Sequence, residues 1–127
     1  MNNHKFSLRK RILSFKYAFN GLWLLIRDEH NSRIHLFAAL LTIFAGFWFK
    51  ISSLEWMILL LTIAMVFAAE FFNSAIEALA DKISPEKDPL IKKAKDLAAG
   101  GVLFCAIISV IIGVLIFGER LLLLAGF

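Results

Sequence analysis

Residues 56–81 read WMILLLTIAMVFAAEFFNSAIEALAD, and this stretch decides the fold. Trp56 to Ala69 carries no charge, then Glu70 interrupts the run, and helical spacing continues through Asn73, Glu77 and Asp81. A helix over 54–82 would be roughly 40 Å long, against a bilayer hydrocarbon core of about 30 Å. Its last third is therefore expected to emerge into the interface. Ile83-Ser84-Pro85 should end it, because proline disfavours helical geometry at the preceding residue.

Outward from this segment, the rest of the chain agrees. Of its 127 residues 60% are hydrophobic and 19% charged, with 13 phenylalanines, which is too little polar residue to cover a soluble domain of this size. The mean hydropathy is +0.77. Residues 34–50 are apolar apart from His35, Thr42 and the terminal Lys50, and 94–118 contains an uncharged run from Leu97 long enough to cross a bilayer. Asp88-Pro89 marks a turn before a helix starting near Leu90, within a loop assigned to 83–93. The expected fold is all-α: a surface helix over 5–28 and three membrane spans at 34–50, 54–82 and 94–118, in a single unit covering 1–127. Cys105 is the sole cysteine and lies in an apolar run, so no internal disulfide or thiolate metal cluster is expected.

The N-terminal segment does not read as a signal peptide, since no small-residue cleavage site follows an apolar core. Leu8, Ile12, Phe15, Phe19, Leu22 and Ile26 are spaced four and three alternately and fall within an arc of about 80°. Arg9, Lys16 and Arg27 project to one side of that stripe, with Lys10 opposite it, the pattern of a basic helix lying on a membrane surface with anionic lipid headgroups as partners. Basic residues gather before the first span (Lys5 to Arg33) and around the second loop (Lys82, Lys87, Lys92, Lys93, Lys95). The positive-inside rule then places the N-terminus and the 82–95 loop in the cytoplasm and the C-terminus outside, in a bacterial inner membrane. Nucleic acid is not an expected partner, because no recognised binding module accompanies the charges.

On an ideal helix Asn73, Glu77 and Asp81 lie near −60°, −20° and +20° from Glu70, so three acids and an amide share one stripe. A solvated helix face accounts for Asp81 and Glu77. It does not account for Glu70 between Ala69 and Phe71, since a carboxylate in hydrocarbon costs at least a few kcal/mol. A cation, basic side chains or protonation must compensate. Lys92-Lys93-Ala94-Lys95-Asp96 precedes a small-residue run, Ala98-Ala99-Gly100-Gly101, that allows close helix approach and would bring Lys95 and Asp96 beside the stripe. Glu29, in the junction before the first span, is a further candidate oxygen ligand. His4, His30 and His35 lack metal-ligand spacing and read as ordinary interfacial histidines. Mg²⁺ held by one or two carboxylates plus substrate phosphates would suit phosphoryl transfer to a lipid alcohol. There is no GxxxxGK loop, and spacing alone does not specify ATP. An ion or proton conduit also uses intramembrane carboxylates, and a purely structural subunit remains a third reading.

Glu70-x-x-Asn73-Ser74-x-x-Glu77-x-x-x-Asp81, followed by Ala94-Lys95-Asp96 and small residues, resembles the paired motifs of the small prokaryotic diacylglycerol kinase family, which includes the undecaprenol kinases. Tyr17, Gly21 and Glu29 also match, and the likeness runs from about residue 10 to 118. The resemblance implies a homotrimeric membrane kinase that uses ATP and Mg²⁺ to phosphorylate a lipid alcohol. It implies Glu70 as catalytic base, Asn73 as substrate-positioning residue, and Glu29 and Glu77 as metal ligands. Tyr17, Asp81, Lys95 and Asp96 would bind nucleotide. After Ser84-Pro85-Glu86 the chain has Lys87 and Asp88 where relatives commonly carry aromatic or histidine residues. The form of the 88–100 segment looks closer to the undecaprenol branch than to the diacylglycerol branch.

Overall fold

The computed structural model describes residues 5–83 and 87–127, in which four helices follow one another: α1 (Leu8–Asp28), α2 (His30–Phe49), α3 (Ser53–Ile83) and α4 (Pro89–Leu124). His4, the Ser84-Pro85 stop and the Ser84-Pro85-Glu86 departure lie outside the described residues. By length and composition α2, α3 and α4 can each cross a membrane. The chain is an all-helical membrane protein.

Local chemistry fixes each helix end. Ser7 caps α1 by accepting from the Lys10 N–H, so the helix opens at Leu8 rather than at residue 5. Glu29 alone is extended (φ −104°, ψ 110°), and this one residue is the whole bend between α1 and α2. The first membrane helix therefore begins at His30, ahead of the 34 expected from apolarity. Lys50 closes α2 in the left-handed region (φ 51°), an ordinary C-cap geometry usually given to glycine. Ser52 and Glu55 form a reciprocal capping box at the start of α3: the Glu55 N–H donates to Ser52 Oγ at 3.2 Å and the Ser52 N–H to Glu55 Oε1 at 3.1 Å.

The 83–93 loop assignment is too long: the helix start read near Leu90 is close to where α4 begins, at Pro89, and the chain does not stay irregular up to residue 93. Instead Asp88 accepts from the N–H groups of Leu90 (2.8 Å) and Ile91 (3.2 Å), with Pro89 in the first helical position, where its missing N–H costs nothing. Lys92, Lys93, Lys95 and Asp96 thus sit on the first turns of α4. That helix also runs on to Leu124, past the 118 read from hydropathy.

Packing is dominated by α3 against α4, with α2 laid against both and α1 touching α2 and α3. Ile51, Leu59, Ile116 and Phe117 form a buried cluster at the α2–α3 turn, flanked by Phe49 and Trp56. On α2 the buried residues are Ser32, Ala39 and Gly46, a seven-residue repeat of small side chains that lets the helix approach closely. At Gly46 a Cβ would lie 2.7 Å from the Trp56 ring. Elsewhere the spans leave large apolar side chains such as Phe44, Leu61 and Leu115 exposed, a surface suited to hydrocarbon rather than water.

Candidate active site

Where α2 meets α3, Glu70 is 3% exposed and Ser32 0%, the two buried polar residues among those described. The Ser32 hydroxyl donates to Glu70 Oε2 at 3.1 Å. His35 Nε2 stands 3.1 Å from the other oxygen, Oε1, at ion-pair distance, yet Oε1 receives no aligned hydrogen bond. Asn73 Oδ1 and Ser74 Oγ, a turn further along, are likewise buried without a partner. Buried polar atoms are nearly always bonded, so three such atoms on consecutive helical turns point to something this chain alone does not supply.

Along the stripe the environment opens. Glu77 is half-buried, and Asp81 is exposed. Lys95 reaches from α4 to Asp81, Nζ to Oδ1 at 2.9 Å, so the structure does bring the lysine of the second motif to the end of the acidic stripe. Asp96 is not part of that contact: Lys92, one turn earlier, takes it at 2.5 Å. Tyr17 is 68% exposed on α1.

At the α1–α2 junction Arg27 grips Asp28 through two bonds, Nε to Oδ1 at 2.6 Å and Nη2 to Oδ2 at 3.0 Å. The guanidinium holds the Asp28 carboxyl below its ordinary range, chiefly by hydrogen bonding. Glu29, beside it and half-buried, has no side-chain partner among the described residues. Of the two junction carboxylates, Glu29 is the candidate ligand. Among the described residues no three His, Cys, Asp or Glu side chains converge tightly enough to hold a metal. Glu29 and Glu77 nevertheless offer hard oxygen donors of the type Mg²⁺ takes in ones and twos, with phosphates completing its shell.

Ser32 was missed by the sequence reading, and His35, expected to be an ordinary interfacial histidine, instead abuts Glu70. A signal existed: the two are three apart, on one face of a helix, although Ser32 sits in the polar stretch His30-Asn31-Ser32-Arg33 and only His35 falls within the apolar run.

A buried carboxylate partnered from a second membrane helix, with a lysine–acid bridge at the far end of its stripe, marks a candidate intramembrane catalytic or transport site. Comparison with known proteins gives the family. The family model for prokaryotic diacylglycerol kinase matches residues 16–117. The undecaprenol kinase of Bacillus subtilis (strain 168) is 42% identical over 119 residues, covering 94% of this chain and 97% of that protein. The diacylglycerol kinase of Escherichia coli (strain K12) is 30% identical over 111 residues, covering 87% and 91%. That of Synechocystis sp. is 35% identical over 103 residues, covering 80% of this chain and 59% of the longer protein. The chain belongs to the prokaryotic diacylglycerol kinase family, and so to a family of membrane lipid kinases. Membership removes the conduit and purely structural readings.

Proposed function

We propose that this protein transfers the γ-phosphoryl group of ATP to the hydroxyl of a membrane lipid alcohol, with undecaprenol favoured over diacylglycerol. The observation that carries the reading is Glu70, almost fully buried with one oxygen left unbonded on a membrane helix. In this scheme Glu70 Oε1 accepts the proton as the lipid oxygen attacks phosphorus, the bond from phosphorus to the β–γ bridging oxygen breaks, and ADP departs. Asn73, whose Oδ1 is also buried and unbonded, orients the reacting groups. Lys95 neutralises phosphate charge, and Asp81, Asp96 and Tyr17 complete the nucleotide pocket. Glu29 and Glu77 would hold Mg²⁺, which when bound would neutralise charge on the transferring phosphates.

Preference for undecaprenol rests on the 42% identity to an undecaprenol kinase against 30% to the Escherichia coli diacylglycerol kinase. An apolar groove separates lipid tails by only about 1–3 kcal/mol per methylene, so some activity on both alcohols is expected. The chain works as a homotrimer in the bacterial inner membrane, with the Lys95 end of α4 and the N-terminus cytoplasmic and the C-terminus outside. Helix α1, whose apolar stripe from Leu8 to Phe19 is exposed, lies on anionic headgroups. The test is purified protein in vesicles with Mg²⁺ and γ-labelled ATP, given undecaprenol or diacylglycerol separately. Label should enter undecaprenol faster. Label in neither lipid overturns the kinase reading, and faster labelling of diacylglycerol reverses the substrate assignment.

A further inference from the structure

Glu70 does not stand alone. A base buried in a bilayer has no water to orient it, and a carboxylate is free to rotate about its terminal torsion and present either oxygen. Two side chains on α2 remove that freedom. Ser32, fully buried, donates to Oε2 at 3.1 Å. His35, one turn on, sets Nε2 3.1 Å from Oε1 without aligning a hydrogen bond on it, so Oε1 keeps an open lone pair. The imidazole also lines an apolar cavity of about 210 Å³ between α2, α3 and α4, whose walls include Ala39, Thr42, Val66, Phe67 and Ser109. His35 therefore touches the carboxylate on one side and the intramembrane space on the other.

Building on the assignment of Glu70 as base, we propose that Ser32 and His35 are its positioning residues: Ser32 locks one carboxylate oxygen, and His35 confines the other so that Oε1 alone meets the acceptor hydroxyl. Neither touches phosphate in this scheme, so both act on kcat rather than on nucleotide binding. Packing alone does not require a hydroxyl at Ser32, because Ala39 and Gly46 occupy the equivalent positions one and two heptads along the same face with no polar group.

The experiment compares Ser32→Ala, His35→Ala, His35→Gln and Glu70→Gln with wild type in vesicles, measuring kcat, KM for ATP, the solvent deuterium isotope effect and helical content. Losing one hydrogen bond to a charged group predicts a fall in kcat of about 10–100-fold for Ser32→Ala, and losing the confinement of Oε1 predicts a fall in the same direction for His35→Ala. KM for ATP should hold, the isotope effect should rise as proton acceptance becomes limiting, and His35→Gln, which keeps a donor near Oε1, should recover to within a few-fold of wild type. Near-normal kcat in Ser32→Ala and His35→Ala, with Glu70→Gln inactive, overturns the positioning role and leaves the base intact. Activity in Glu70→Gln overturns the base itself. A fall in kcat with unchanged isotope effect and no recovery in His35→Gln marks a merely structural role and also overturns the proposal. If Ser32→Ala does not fold, the two His35 variants decide alone.

Discussion

Arg120, near the end of α4, forks onto Glu55 in the first turn of α3, Nη1 to Oε2 at 2.8 Å and Nη2 to Oε1 at 3.0 Å. Two parallel bonds from a rigid guanidinium give this contact geometric definition that a lysine would lack. Glu55 is also one half of the capping box, so it serves the start of α3 and the α3–α4 pairing together. Glu55→Gln should lower the thermal unfolding midpoint by a few degrees while leaving kcat and KM unchanged. A stability scan beside the transfer assay checks this, and loss of activity at full stability contradicts it.

Glu70→Gln keeps shape and removes basicity. Its kcat should fall by at least about 100-fold, the usual worth of a general base, with helical content by circular dichroism unchanged.

The bridge from Lys95 to Asp81 is exposed, so its own contribution to stability is small and salt-sensitive. Its weight lies in where it holds the ammonium. Lys95→Ala should lower kcat/KM for ATP by about 10–100-fold, since the proposed charge-assisted contact to phosphate would be lost. Asp81→Asn should do so by less, and neither should alter unfolding by much. Equal loss of stability and activity in Lys95→Ala would count against a phosphate contact.

Gly46 faces the Trp56 ring, which is itself held 4.8 Å from the Phe47 ring centroid and cannot swing aside freely. Gly46→Ala should destabilise by about 1–3 kcal/mol through overpacking. Adding Trp56→Phe should recover most of it, and denaturant unfolding of the single and double variants measures the coupling.

The spans, the acidic stripe and the approach of Lys95 to it were legible because helical periodicity is local and the charges interrupt long apolar runs. Glu70 stood out for the same reason. Its partners did not: Ser32 lies 38 residues away in sequence, and only the packing of α2 on α3 joins them. Arg120 and Glu55, 65 residues apart, were invisible for the same cause. Ser52-Ser53-Leu54-Glu55 is a capping-box pattern that went unread, and Asp88-Pro89 opens the helix read from near Leu90 even though hydropathy set the span itself at 94. Helix termini follow hydrogen bonding, whereas span limits follow apolarity, and the two need not coincide.

Asp81 and Glu55 lie 26 residues apart on α3, and their partners Lys95 and Arg120 lie 25 apart on α4. At 1.5 Å per residue both intervals are roughly 38 Å, a little more than the hydrocarbon thickness. The two rails of the hairpin are thus pinned at matching heights, at a spacing that suits the two edges of an oily layer. Sliding one past the other by a single turn would break both pins at once. Removing one residue between the pins would turn everything beyond it by about 100°. The height of Glu70 along the hairpin is gauged from both ends, and connector length can vary without moving it.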